Sequence, residues 1–343
     1  MLLDRIDKNR SLTDLAAIAA HEAFHVFQSA RQPGWGANEA DLFIYPVDDS
    51  GLLALRRLET EALRRALEEN DAELSTCWAR KAIELRHERY EQMPEQFAAY
   101  ERGTELNEGI ASYVEAKVAG RPTVTIPEGG FGATDVRIRC YATGTALGLL
   151  LDRFSPGWPA SFVQEDSPTL DETLQDVLGH ADAENCVFFT DGELTEIRRT
   201  AEQAIEQVAM DRASDRASFD ETPGWRVRVE AADGRPLWLQ GFDPLNVRQV
   251  SGGILHARFL RLGNEAGDID IMDSEHADLA ALTIGAGAHP LFNGVRRVEI
   301  VGLSEPEIET ANGSVTLSAQ GLTLEFRSAE MDRDADSVVI RLE

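Results

Sequence analysis

A chain of 343 residues, with 43% hydrophobic and 27% charged residues, has the composition of a globular protein long enough for two domains. Its 60 acidic and 33 basic residues give a net charge of −27, which argues against nucleic acid and anionic membrane as partners. Neither a secretion signal nor a membrane span is visible in the sequence, so we expect a soluble cytoplasmic protein.

The first two thirds of the chain show helical periodicity. A polar start at Ser11 predicts a helix over Leu12–Ala30, and the loop after it contains one short predicted strand at Leu42–Tyr45. Gly103-Thr104 is expected to interrupt the helical pattern, and the glycine-rich segment 123–138 is expected to be irregular. Further helices are predicted over 52–67, 78–90, 105–118, 140–154 and 194–212.

After a polar stretch at 213–224 that resembles a linker, short alternating runs typical of strands take over. Asp233-Gly234 predicts a hairpin turn, and Asn312-Gly313 precedes a further strand. Strands are predicted near 227–229, 237–239, 254–262, 295–303, 314–318, 322–326 and 338–342. The sequence therefore predicts an α+β multidomain protein, with a mainly helical domain over 1–215 and an all-β sandwich or small barrel over 222–343.

Three widely separated cysteines, Cys77, Cys140 and Cys186, show neither the spacing of a sulfur metal site nor that of a redox motif. An odd, sparse set of this kind does not indicate a disulfide framework. We therefore expect three buried free thiols.

The segment His21-Glu22-Ala23-Phe24-His25 is an HExxH motif within the first predicted helix. Because residues i and i+4 share a helix face, both imidazoles can bind one Zn²⁺ ion. Glu22 lies beside that face, where its carboxylate can accept a proton from the water molecule that zinc activates. The alternative interpretation is a pair of histidines that only cap or pack the helix.

A catalytic zinc ion keeps three protein ligands and one open position. Glu108 lies in the first turn of the helix predicted over 105–118 and is followed by Gly109. The missing side chain of Gly109 would let this helix approach the helix with the two histidines. The sequence therefore predicts a zinc site formed by His21, His25 and Glu108.

The segment from Asn107 to Glu115 reads Asn-Glu-Gly-Ile-Ala-Ser-Tyr-Val-Glu. It resembles the third-ligand helix of the gluzincin zinc metallopeptidases, most of all the NEGxAxYxE pattern of the aminopeptidase N-like branch of the peptidase MA clan. The thermolysin branch usually has an aspartate at the position of Ser112. The resemblance covers roughly residues 12–155, and it implies a zincin-like catalytic domain in which Glu108 binds zinc.

The spacing between the two motifs differs from that branch, because far more residues separate His25 from Glu108 here. The additional residues coincide with the helical stretches at about 50–100. We interpret these stretches as an inserted helical segment.

A second resemblance lies in Cys140-Tyr141-Ala142-Thr143-Gly144, which is similar to the Tyr-x-Lys-Gly segment of the same family. Thr143 replaces the family's lysine. In the family the tyrosine stabilises the oxyanion of the tetrahedral intermediate, and the resemblance assigns this role to Tyr141. The alternative is a partly buried core tyrosine.

Side chains behind the metal ligands commonly orient the ligand imidazoles. Glu115 shares the helix face of Glu108 and is our predicted second-shell residue, with Glu105 and Asn107 as the other candidates. A solvated glutamate that forms a surface ion pair is the competing interpretation.

Together these residues predict a zinc-dependent metallopeptidase that acts on peptides or proteins, with Glu22 as general base. The Gly-x-Met-Glu-Asn segment with which the resembling aminopeptidases recognise the substrate amine is missing, so the sequence does not support aminopeptidase activity. Two alternatives stay open. One is a catalytically inactive or structural zinc protein that serves as a binding or scaffold module, and the other is a hydrolase of a non-peptide amide or ester.

The remaining histidines show no ligand spacing and are expected to be structural: His87, His180, His256, His276 and His289. Gly129-Gly130-Phe131-Gly132 lacks the preceding strand and the lysine of a phosphate-binding loop. We expect it to form a turn near the rim of the active site.

Overall fold

The computed structural model describes residues 11–120, 124–163, 168–179, 186, 188–244, 246–272 and 279–343. The chain divides into two compact units, Met1–Gln207 and Val208–Glu343. The described residues of the first unit are helical, and those of the second are mainly strands that follow the end of one long helix. This layout confirms the predicted α+β arrangement of a helical part followed by an all-β part. His180 and His276, which were expected to be structural histidines, lie outside the described residues.

The helices are α1 Leu12–Arg31, α2 Ser50–Glu68, α3 Ala72–Glu91, α4 Glu95–Thr104, α5 Ile110–Val118, α6 Val136–Phe154, α7 Pro159–Phe162, α8 Leu170–Leu178 and α9 Asp191–Glu221. A 3₁₀ helix spans Glu39–Ile44, and a π-helical turn spans Glu105–Gly109. Within the described part of the chain, no helix combines the length and apolar character that crossing a bilayer requires.

Three local predictions about the first part of the chain were wrong. The expected strand at Leu42–Tyr45 lies in the 3₁₀ helix, whose start is capped by the Asn38 side chain accepting from the backbone of Ala40. The expected linker at 213–224 is largely the last part of α9, which continues to Glu221. Segment 123–138 is helical from Val136 onward, because α6 begins there.

Gly103 does not interrupt the helical pattern as the sequence suggested, because α4, the π-helical turn and α5 follow one another directly. A Cβ atom on Gly103 would lie 2.3 Å from the carbonyl oxygen of Gly36. The glycine is therefore needed for close contact between two backbone segments, and its conformational freedom is not used to end a helix.

Three carboxylates and three guanidinium groups form a buried ion network that joins the central helices of the first unit. Glu59 on α2 lies 2.6 Å from Arg89 on α3, and Arg89 lies 2.5 Å from Glu101 on α4. Arg139 on α6 contacts both carboxylates, at 2.6 Å and 3.0 Å. Arg86 on α3 connects Glu59 to Glu105 of the π-helical turn, at 2.8 Å and 2.7 Å.

Burial alone raises the pKa of Glu59, but the guanidinium groups of Arg139, Arg86 and Arg89 outweigh it and lower that pKa to about 2. Glu59 is therefore ionised at neutral pH, whereas burial raises the pKa of Glu105 at the other end of the network. Its members are at most 2% exposed, so each charge depends on its partners in place of water.

The second unit contains thirteen strands within its described residues: β1 Trp225–Glu230, β2 Trp238–Phe242, β3 Val247–Val250, β4 Gly253–His256, β5 Phe259–Asn264, β6 Gly267–Met272, β7 Ala280–Gly285, β8 Val295–Leu303, β9 Glu307–Ala311, β10 Ser314–Ala319, β11 Leu322–Phe326, β12 Ala329–Arg333 and β13 Ser337–Leu342. They form two sheets, in the orders β12-β13-β1-β8-β7-β4-β3 and β2-β5-β6-β11-β10-β9. The β1–β13 pair is parallel and the other pairs are antiparallel.

Both sheets contribute buried side chains to one apolar core, for example Val227 and Ile300 from the first and Leu262 and Leu324 from the second. This arrangement is a sandwich, one of the two architectures that the sequence predicted. Asn312-Gly313 joins β9 to β10 with positive φ at both residues, as a tight hairpin turn requires.

Two predictions about connections between strands were wrong. Asp233-Gly234 does form a turn, but β1 and β2 belong to different sheets, so they are no hairpin. The single run expected at 254–262 is divided into β4 and β5, which also lie in different sheets. Alternation of apolar residues marks a strand but does not say which sheet the strand joins.

The expectation of three free thiols was wrong for two of the cysteines. Cys77 on α3 and Cys186 form a disulfide, with 5.6 Å between their Cα atoms and a sequence separation of 109. Cys140 on α6 is a buried free thiol, as expected. A pairing over such a distance depends on the folded arrangement and has no signature in local spacing.

We predict that Arg89→Leu lowers the free energy of unfolding of the helical unit by about 3–5 kcal/mol, because it leaves Glu59 and Glu101 with a missing partner in the interior. Urea unfolding followed by far-ultraviolet circular dichroism measures the change. Arg199→Leu is the matched control, because the contacts of Arg199 with Glu196 and Gln203 lie on the surface of α9. Equal effects of the two substitutions would contradict a structural role of the network.

His256 on β4 is a buried neutral histidine of the second unit. Its Nε2 lies 3.1 Å from Oγ1 of Thr283, and its Nδ1 has no hydrogen-bond partner among the described residues. Burial lowers the pKa of His256 to about 4, against 6.5 for an exposed histidine. Protonation is therefore easier in the unfolded chain than in the folded one.

We predict that this unit loses stability as the pH falls from 6.5 to about 4, by up to about 1.4 kcal/mol per pH unit, because only the unfolded chain takes up the proton in that range. Hydrogen exchange of β4 and β7 measured across this range checks the slope. His256→Gln should flatten it, whereas His87→Gln in the helical unit should not. A slope that is unchanged in His256→Gln would refute the prediction.

Candidate metal centre

Helix α1 carries both histidines of the predicted site. It begins with a capping box, in which Ser11 accepts from the backbone of Asp14 and the Asp14 side chain accepts from the backbone of Ser11. His21 and His25 are one turn apart on the same face, and their ring centroids lie 4.9 Å apart. The helix therefore presents two imidazoles side by side.

Glu108 comes from the π-helical turn between α4 and α5. Such a turn inserts one extra residue into a helix and often occurs at functional sites. Gly109 permits its close packing, since a Cβ atom there would lie 2.7 Å from the Cα atom of Gly144. The helix that Gly109 approaches is thus α6. Helix α5 does pack closely on the histidine helix α1, as expected, but Gly109 is not the residue that permits it.

The structure brings the three predicted ligands together. Oε2 of Glu108 lies 3.7 Å from Nε2 of His21 and 3.5 Å from Nε2 of His25. The three residues form a group whose ligand atoms are all within 4.8 Å of one another. A tetrahedral zinc ion with bonds of about 2.0–2.1 Å places its ligands roughly 3.4 Å apart. The donor types and their spacing therefore fit zinc.

Electrostatics within the group favour an ionised carboxylate. The interaction with the imidazole of His21 is the main cause that lowers the pKa of Glu108, and burial opposes it. The same interaction raises the pKa of His21, again against the effect of burial. The carboxylate of Glu108 is thus in the form that binds a metal ion.

Each imidazole has a neighbour at its other nitrogen. Nδ1 of His21 lies 3.3 Å from Oε2 of Glu115, the residue that the sequence singled out, although the geometry is that of an ion pair and not of a hydrogen bond. Nδ1 of His25 lies 3.4 Å from Oε1 of Gln28, and Gln28 in turn donates to the backbone oxygen of Trp35. Sequence reasoning missed Gln28, although its place three residues after His25 is a usable signal.

Tyr141 lies on α6 beside Glu108, and a hydrogen bond from it contributes to the lowered pKa of Glu108. Its hydroxyl also lies 3.2 Å from Nη2 of Arg137. Burial is the largest cause of the raised pKa of Tyr141, which keeps the hydroxyl protonated and able to donate.

Arg137 is a residue of the site that sequence reasoning missed. Its Nη2 donates to Oε1 of Glu108 at 3.0 Å, and its Nη1 pairs with Glu39. The two oxygens of Glu108 are therefore divided, Oε2 facing the histidines and Oε1 facing Arg137. Arg137 lies one helical turn before Tyr141. Because segment 123–138 was expected to be irregular, this spacing did not predict that the two residues share a helix face.

The other predicted residues occupy different environments. Glu22 is exposed, and the described residues give it neither an ion pair nor a hydrogen bond. Glu105 lies in the buried network, where Arg86 and Thr143 bind it, so it does not reach the imidazoles. Of the other described histidines, His256 and His289 lie in the β unit and His87 on α3, and none joins the group at Glu108.

Comparison with known proteins found no matching family model, no matching characterised protein and no matching solved structure.

We predict that Glu115→Gln weakens zinc binding by about 10- to 100-fold, because a neutral amide supports the imidazole of His21 less well than a carboxylate. Competition with a chromogenic zinc chelator measures the affinity. Glu95→Gln, on the exposed first turn of α4, is the matched control and should bind zinc like the wild type. Unchanged affinity in Glu115→Gln would show that Glu115 does not support His21.

Proposed function

We propose that this protein is a zinc-dependent metallopeptidase that hydrolyses peptide bonds. The observation that carries the proposal is the convergence of His21, His25 and Glu108 at the spacing of a zinc site, from two elements that are distant in sequence. The described residues add no fourth ligand to this group, and three ligands with one open position are typical of catalytic zinc. The resemblance of 107–115 to the gluzincin third-ligand helix supports a peptide as the substrate.

In this proposal His21, His25 and Glu108 hold the metal, with Glu115 and Gln28 behind the two imidazoles. When bound, zinc supplies a Lewis acid that polarises the scissile carbonyl and lowers the pKa of a water molecule. Glu22 accepts the proton of that water and delivers it to the leaving amine. The exposed position of Glu22 leaves its carboxylate accessible to water and substrate.

Tyr141 and Arg137 have complementary tasks in the proposed reaction. The Tyr141 hydroxyl is a protonated donor next to Glu108, suited to the carbonyl oxygen that gains negative charge. Arg137 binds the oxygen of Glu108 that faces away from the histidines and so fixes the rotation of the carboxylate. Arg137 is therefore a positioning residue.

We expect the wild type to bind one zinc ion per chain and to cleave peptides from a broad library. Glu22→Gln should keep its zinc and lose at least about 100-fold in cleavage rate, because the general base is removed while the ligands remain. Metal analysis and mass spectrometry of the digested library measure the two outcomes. Glu95→Gln again serves as the control.

His21→Ala should lose both zinc and cleavage. A protein that binds zinc tightly but cleaves no peptide would contradict the proposal and favour a structural zinc protein that serves as a binding module. Cleavage that persists in Glu22→Gln would also contradict it.

A further inference from the structure

A pocket opens beside the candidate metal centre, between α5, α6 and residues 124–131. Its volume is about 330 Å³, within the size range of ligand sites. Small side chains, Ala116 and Ala142, leave the space between the two helices open. The larger apolar side chains that line the pocket are Val124, Phe131 and Ile138.

The pocket adjoins the proposed active site. Glu115 and Tyr141 line it, and these same residues contact His21 and Glu108. A molecule whose reacting bond lies at the metal centre therefore has its adjoining groups next to this pocket. Phe131 belongs to the glycine-rich segment that the sequence placed at the rim of the active site.

The chemistry of the lining favours an apolar occupant. Ile138 is 63% exposed, and a ligand side chain that covers it would remove a large apolar surface from water. The acidic residue of the lining, Glu115, already faces His21 at 3.3 Å, and the Tyr141 hydroxyl faces Arg137. The charged group and the phenol of the lining are thus directed to the metal centre. The rest of the wall adds the hydroxyl groups of Ser112, Thr125 and Thr145 to a larger apolar surface.

We infer that this pocket is a substrate subsite that accepts a large aliphatic or aromatic side chain next to the hydrolysed bond. The inference rests on the proposed peptidase function and adds the substrate class to it. The enzyme should therefore prefer peptides with leucine or phenylalanine next to the hydrolysed bond over peptides with small, acidic or basic residues there.

Binding can be tested without turnover, with amino-acid hydroxamates that chelate zinc and carry one side chain each. Titration calorimetry on the zinc-loaded full chain should show leucine and phenylalanine hydroxamates binding about 10- to 100-fold more tightly than glycine hydroxamate. Ile138→Ser should reduce this advantage several-fold and leave the affinity for glycine hydroxamate unchanged.

Val118→Ser is the matched control, because Val118 is an exposed apolar residue of α5 that does not line the pocket. It should keep the full preference. Equal affinities for all side chains, or tightest binding of arginine or aspartate hydroxamate, would overturn the apolar assignment.

Cleavage of peptides that differ only in the residue flanking the cleaved bond completes the test. Rates that depend on Glu22 but are equal for leucine, alanine and arginine would overturn the subsite and leave the peptidase function standing. The absence of any cleavage that depends on Glu22 would overturn both the function and the substrate role of the pocket. Faster cleavage next to leucine or phenylalanine, reduced in Ile138→Ser, is the expected result.

Discussion

The buried ion network is the constraint on which the helical unit depends. Arg89 and Arg139 join α2, α3, α4 and α6 through two carboxylates, and Arg86 extends the network to Glu105. Glu105 belongs to the same π-helical turn as Glu108, so one end of the turn is held by ionic contacts in the interior while the other end faces the histidines of α1. Because separating a buried charge from its partners is strongly destabilising, contacts in the protein interior fix the position of Glu108.

The side chains of the candidate metal centre are also held in place by several partners each. Glu108 uses one oxygen for the histidines and the other for Arg137, which removes the rotational freedom of its carboxylate. The two imidazoles have different supports, a carboxylate behind His21 and an amide behind His25. A carboxylate raises the basicity of its imidazole more than an amide does, so the two histidines would be unequal ligands of the proposed metal ion.

The sequence predicted those parts of the structure that depend on local pattern. The i, i+4 histidines on one helix, the nearby carboxylate of Glu108 and the turn at Asn312-Gly313 each depend on a few neighbouring residues. Arg137, the ion network and the sheet to which each strand belongs depend on contacts between residues distant in sequence, which one chain without relatives does not reveal. Gly109 shows both cases. Its missing side chain indicated a close approach of another segment, but the sequence did not show that this segment is α6.

The disulfide between Cys77 and Cys186 gives the site a covalent frame. The loop that it closes contains Glu108 and Tyr141, whereas α1 with its histidines lies outside it. A chain cut by a protease within this loop would therefore stay in one covalent piece until it met a reductant. Bonds of this kind form and persist in oxidising compartments and are rare in the cytosol. The covalent closure of the loop that holds Glu108 and Tyr141 is therefore sensitive to the redox conditions around the protein.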